Sequence, residues 1–260
     1  MHPMTPVELF HEARLTEALE AQRAIVTAKP DDVAERLLLC DLLAFTGDRD
    51  AVRKQLDRLA DGPPDVREYV DEWRALLHAD DARHASQPPD SLADRTLQFE
   101  LRLRANGDSR WFDAERATDY LDDADELAPW VEGHVDGRPF EGWRDADDVL
   151  GPMLEVFRRD RFTWVGMEQV RKLRLDEGHE LRDILYRPAT LWLADGSVQE
   201  IFIPGLYAGT ANHPEDGIRT GAGIDWVERD GIMRGLGSRT FLFGEEELTL
   251  YEFRQVEVRG

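Results

Sequence analysis

Apolar and proline positions recur 34 residues apart in the first third of the chain, and no other feature narrows the possible folds as much. Pro30 and Pro64 are related in this way, as are Leu9 and Leu43, Ala18 and Val52, and Ile25 and Leu59. That is the tetratricopeptide (TPR) period, in which a helical hairpin buries its apolar face only by stacking on its neighbours. Ala34 to Phe45 reads as the first helix of a pair, with Leu38, Leu42 and Phe45 on one side. Gly47-Asp48 makes the turn, and Asp50 is expected to cap a second helix carrying Val52, Leu56 and Leu59. Asp61-Gly62-Pro63-Pro64 then stops that helix, because proline cannot continue the hydrogen-bond ladder. Val66 to His78 is amphipathic through Tyr69, Val70, Trp73, Leu76 and Leu77. After a loop at Ala85-Ser86-Gln87-Pro88-Pro89, a late pair is expected, with Ser91 to Arg104 capped by Ser91 and Trp111 to Leu127 as its second member.

Beyond Pro129 the period shortens to that of strands. Arg138 to Trp143, Leu154 to Phe157, Phe162 to Val165 and Val170 to Leu175 are short runs rich in aromatic and β-branched residues. Arg187 to Leu193 and Val198 to Ile203 flank Ala194-Asp195-Gly196-Ser197, a strong hairpin signal. Thr240 to Phe243 and Leu248 to Val258 complete the set. The expectation is an α+β chain of two domains: a TPR-like α-helical hairpin stack over 1–130, and a β-rich antiparallel, small-barrel-like domain over 131–260.

Chemistry is sparse. Lys+Arg 32 against Asp+Glu 54 leaves a net charge of -22, which repels phosphate backbones and anionic lipid, so neither nucleic acid nor a membrane is an expected partner. No window has the length and apolarity of a membrane span and Met1-His2-Pro3-Met4 lacks a leader pattern, so a cytoplasmic location is expected. The lone Cys40 lies in an apolar helical run, as a small buried hydrophobe would. No phosphate loop, nucleophile elbow, dinucleotide fingerprint or zinc motif is present; His179-Glu180-Leu181-Arg182-Asp183 comes nearest to a metal site and lacks its second histidine. No catalytic residue, metal or cofactor is expected. Asp122-Asp123-Asp125-Glu126 reads as a solvated helix face, and Asp145-Asp147-Asp148 as caps of an exposed turn. Ser238, His213 and Asp225 have the residue types of a triad without a spacing that fixes its geometry. Arg182, Asp183, Arg187, Asp225 and Arg239 each sit beside apolar residues, and a hydrogen-bonded network or a docking surface would account for them.

Several strings fall in order: Gly151-Pro152-Met153-Leu154-Glu155-Val156, Phe162-Thr163-Trp164-Val165, Leu181-Arg182-Asp183-Ile184-Leu185-Tyr186-Arg187-Pro188-Ala189, Ile224-Asp225-Trp226, and Gly235-Leu236-Gly237-Ser238-Arg239-Thr240-Phe241-Leu242. With the closing Leu250 to Val258 and the helical stretch Leu37 to Leu59, they resemble the ImpE family, also called TagJ, accessory proteins of bacterial type VI secretion. Leu206 stands where the family more often has a basic residue, and Ser238 where glutamine is common. The resemblance implies a non-enzymatic adaptor that associates with a helix of the small sheath subunit, TssB, and influences sheath assembly or recycling by the ClpV ATPase. It marks Gly151, Pro152, Glu155, Arg182, Asp183, Pro188, Asp225, Trp226 and Arg239 as structural or docking residues. Independently of the family, the repeat register would line a partner groove with Phe10, Leu37, Asp41, Ala44, Asp71, Ala75 and His78. The competing expectation is a hydrolase-like enzyme in which Asp183, Asp225 and Arg239 converge on a pocket.

Overall fold

The structure, a computed structural model, describes residues 3–85, 88–111 and 114–259. Helix α1 (Pro6–His11) opens with a reciprocal cap: the Glu8 amide donates to Thr5 Oγ1 at 3.2 Å and the Thr5 amide to Glu8 Oε2 at 2.7 Å. Helix α2 (Leu15–Ala28) buries Leu15, Ala18, Leu19, Gln22 and Val26, and α3 (Val33–Ala44) starts at Asp32, which accepts from the Glu35 amide. Helix α4 (Arg49–Asp57) is capped by Asp48 through the Ala51 amide at 2.9 Å, not by the expected Asp50. Gly47, at φ 72°, makes the turn where it was expected, but the helix starts directly after it, so Asp48 takes the cap position and Asp50 falls in the first turn, two positions on. Helix α5 (Pro64–His84) starts on the proline pair read as a stop, since proline fits the first turn, and it continues past His78.

Ser91 caps no helix. It lies in β1 (Asp90–Ser91), and helix α6 (Leu97–Trp111) starts where Thr96 Oγ1 accepts from the Phe99 amide. Trp111 ends α6 instead of opening the second helix of the late pair, α7 (Ala114–Leu127). Residues 112 and 113 of that expected helix, and Ser86 and Gln87 of the expected loop, lie outside the described residues.

The strands are β2 (Glu132–Val135), β3 (Arg138–Glu141), β4 (Trp143–Asp145), β5 (Met153–Arg158), β6 (Arg161–Gly166) and β7 (Val170–Leu175). After a short helix α8 (Arg182–Leu185) come β8 (Tyr186–Leu193) and β9 (Val198–Pro204), then α9 (Asp216–Arg219) and β10 (Ile224–Arg229). Strands β11 (Ile232–Gly237), β12 (Thr240–Phe243), β13 (Glu246–Thr249) and β14 (Gln255–Val258) end the chain. Gly142 at φ 94° divides the expected strand 138–143 between two sheets. The expected strand 248–258 is likewise broken, by a turn in which Glu252 accepts from the Thr249 amide and hydroxyl.

Nine strands form one sheet in the order β1-β6-β5-β9-β8-β7-β14-β2-β3. Strand β1 runs parallel to β6 and the remaining neighbours are antiparallel. The terminal strands β1 and β3 do not pair, so the sheet is open where a barrel-like closure was expected. Its apolar faces are covered by two other layers. Alternation along β5 shows how: Met153 and Phe157 enter the core shared with the helices, while Leu154 and Val156 enter a second core with Phe241 and Phe243 of β12. The first core runs from Leu9 through Trp73 and Phe99 to Tyr186 and Tyr207, so helices and sheet share one apolar interior.

Candidate functional site

A cleft of about 490 Å³ opens where α1, α3 and α5 face the segment from Gly178 to Arg187. Helix α3 has apolar residues on more than one side; Leu39, Leu42 and Leu43 are buried, and Leu37 and Leu38 remain half-buried on the cleft wall. The opposite wall holds Leu181 and Ile184. Asp183 fixes that wall by accepting from the amides of His179 at 2.8 Å and Glu180 at 3.2 Å. Arg182 fastens it to α5: its Nη2 lies 2.7 Å from Glu72 Oε1, and its guanidinium sits 4.3 Å from the Tyr69 ring centre and 5.8 Å from that of Trp73. The Tyr69 hydroxyl donates to Glu180.

At the base of the cleft lies Asp41, 5% exposed. Burial pushes its carboxyl up to about 8, with Glu180 and Asp183 adding to the effect and Arg182 opposing it. Arg187 on the rim is held below the ordinary arginine range by burial and by neighbouring Arg254. Next along α3, Cys40 is fully buried and its thiol is pushed up by desolvation, so it stays protonated.

A second constellation stands behind this cleft. Glu155 on β5 accepts from Arg83 of α5 at 3.1 and 2.8 Å, from the Trp164 indole at 3.3 Å, and from Arg239. Burial opposes ionisation of Glu155, but the two guanidinium groups hold its carboxyl well below the usual carboxylate range. Arg239 also lies 3.4 Å from Asp145, whose Oδ1 accepts from the Tyr207 hydroxyl at 2.8 Å. Burial pushes Asp145 up to about 7, offset by Arg239 and reinforced by Asp147. Asp147 accepts from Arg234 Nε at 2.8 Å and from the Gly235 amide at 3.1 Å, and Asp148 accepts from the Met233 amide at 2.7 Å. A cavity of about 410 Å³ borders this network, lined by Arg83, Glu155, Tyr207, Arg234 and Leu236 among others. Its charged side chains are engaged with one another, which makes it a strut between helix and sheet.

Asp145 and Asp147 do cap this turn, Asp145 accepting from the Asp147 amide at 2.9 Å and Asp147 from the Val149 amide at 3.0 Å, but both are buried where an exposed turn was expected. The legible signal was the bend that follows: Gly151 sits at φ 50°, and a Cβ there would meet the Arg102 guanidinium at about 2.5 Å. Arg83 went unnoticed too, although it extends the apolar stripe of Trp73, Leu76 and Leu77 by two further turns.

The groove residues do not share one surface. Leu37 and Asp41 line the cleft, but Phe10 is sealed against the Phe45 ring at 4.7 Å, because α1 packs its apolar side inward. Ala44 borders a smaller, separate pocket of about 50 Å³. Asp71 and His78 lie on the outer face of α5, with Ala75 half-buried. Among the motif residues, Glu155 and Arg239 meet, Asp183 lines the cleft, and Arg182 ties that wall to α5. The Pro152 carbonyl accepts from the Met167 amide and that of Pro188 from the Asp176 amide, while Trp226 packs on the Tyr207 ring at 5.8 Å.

Asp183, Asp225 and Arg239 do not converge. Asp183 caps its own loop, Asp225 pairs with His213 at 3.1 Å, and Arg239 is fully buried with Glu155. Ser238 donates to the Gly221 carbonyl at 2.7 Å, not to His213, so the three triad-type residues form no relay. Among the described residues no group of three or more histidine, cysteine, aspartate or glutamate side chains is placed to hold a metal ion, and no helix is long and apolar enough to cross a membrane.

Residues 137–257 match the ImpE protein family. Over 265 aligned residues the chain is 28% identical to TagJ of Pseudomonas aeruginosa, described as a type VI secretion system accessory component, covering 98% of this chain and 91% of that protein. The crystal structure of a Vibrio parahaemolyticus protein superposes with a TM-score of 0.89, covering 98% of this chain and 97% of the other. At 21% identity that likeness speaks for the fold alone. The ImpE/TagJ resemblance read from the sequence is borne out.

Proposed function

We propose, from the premise that this is an ImpE/TagJ-type chain, that it acts as an accessory adaptor of a bacterial type VI secretion system. The similarity to TagJ, running over 98% of the chain, carries the reading. In this proposal the protein works in the cytoplasm without catalysing a reaction. Its TPR-like helices in 1–130 form one side of a docking cleft, and the segment 131–260 supplies a rigid frame and the opposing wall. The partner is the small sheath subunit, TssB, which inserts the apolar face of a helix between Leu37 and Leu38 of α3 and Ile184 of α8. Sheath assembly, or its ClpV-dependent recycling, would respond to that contact.

Physically, the cleft suits a helix because half-buried aliphatic side chains face each other across about 490 Å³ of open space on a network-braced wall. The full-length double variant Leu37→Arg/Leu38→Arg is expected to lose co-purification with the cognate small sheath subunit while its far-ultraviolet circular dichroism and melting temperature stay near wild type. Retained co-purification would exclude this cleft as the docking site.

A further inference from the structure

We propose that the cleft recognises a basic side chain at its base: the docking helix carries a lysine within its apolar face, and that ammonium group pairs with Asp41. The inference rests on the adaptor reading above and adds a chemical requirement for the partner. Asp41 is 5% exposed; the Arg182 backbone amide donates to its carboxyl, but its Oδ1 accepts no hydrogen bond, an unusual state for a buried oxygen. Of the nearby cations, Arg182 and Arg187 are themselves buried, and neither guanidinium forms an ion pair with Asp41, although Arg182 lies close enough to oppose the upward push on its carboxyl. Arg182 pairs with Glu72 at 2.7 Å and stacks on Tyr69, and Arg187 stands on the rim. Glu180 and Asp183 of the opposing segment increase the negative charge felt at Asp41, while His11 of α1 and His179 line the same walls.

A lysine fits this arrangement better than an arginine. Its four-carbon stem lies along Leu37, Leu38 and Ile184, and its compact ammonium needs no planar bidentate acceptor. The net charge of -22 draws a basic partner segment toward the chain before contact. With the carboxyl pushed up to about 8, the empty cleft at neutral pH holds a largely protonated Asp41. Docking of an ammonium ionises it, and the proton passes to solvent. The bound state therefore has the lower pKa, so affinity rises with pH up to about 8 and levels off above it.

Isothermal titration calorimetry of the full chain with the purified cognate small sheath subunit, from about pH 6.5 to 8.5 and in buffers of differing ionisation enthalpy, tests this. Wild type is expected to bind more tightly as pH rises, by up to about tenfold per unit below pH 8, and to release a proton at pH 7. Asp41→Asn should bind about tenfold more weakly than wild type at the alkaline end and release no proton from this site. The difference between the two profiles isolates the carboxyl from His11 and His179. If Asp41→Asn matches wild type in affinity and proton release while Leu37→Arg abolishes binding, the cleft reading stands and the buried charge pair is wrong. If neither variant alters binding, or wild type does not bind at any pH, the cleft reading falls and this inference falls with it.

Discussion

Glu155 illustrates how single residues hold this molecule together. It accepts from two buried guanidinium groups and one indole, each from a different part of the chain, so α5, β6 and the start of β12 meet on one carboxylate. Replacing a partner in such a group leaves uncompensated buried charge, which costs far more than the net value of the intact pair. Glu155→Gln is therefore expected to lower unfolding free energy by about 3–5 kcal/mol in urea titration; a loss below about 1 kcal/mol would mean that water solvates Arg83 and Arg239. Because the folded carboxyl is held below its ordinary range, this contribution is present at neutral pH and is lost as pH falls through the folded value. In the sequence Arg239 stood out as a charge beside apolar residues, and Glu155 only as part of a string shared with the ImpE family. Their pairing did not, since 84 positions separate them and no local pattern links such a pair.

At the scale of elements, turn chemistry explains most of what sequence reading located and most of what it displaced. Gly47 turns the chain into α4 with Asp48 rather than Asp50 as its cap, and Gly142 passes the last residue of an expected strand, Trp143, to another sheet. The hairpin of β10 and β11 depends on a more distant anchor. Asp147 and Asp148 accept from Arg234 and from the amides of Met233 and Gly235, pinning β11 to the bend after β4. Asp147→Ala should accordingly raise amide hydrogen exchange across residues 224–237 while protection in β5 and β8 stays unchanged. Uniform loss of protection across the large sheet would instead make Asp147 a global support. The Asp145-Asp147-Asp148 run looked like a solvated turn because charge density in sequence says nothing about which acids meet arginines from elsewhere.

For the whole molecule, the shared core is the decisive fact. Trp73 of α5 packs edge-on against Tyr186 of β8 at 5.9 Å, and Phe99 of α6 against Trp164 of β6 at 6.0 Å, so helices and sheet bury each other's apolar faces. A single cooperative transition is expected in differential scanning calorimetry of the intact chain; two resolved transitions would show that the helical and sheet parts keep separate interiors. The sequence alone determined the α+β class, the helical first half, the short strands of the second and the ImpE/TagJ likeness, because period, turn residues and motif strings are local and survive in one dimension. Only the tertiary structure decided that the sheet stays open, that Phe10 is sealed into the core and that Asp41 sits across from Asp183 and Glu180. Those outcomes depend on which distant surfaces remove each other from water, and burial is a property of pairs of segments, not of any segment by itself.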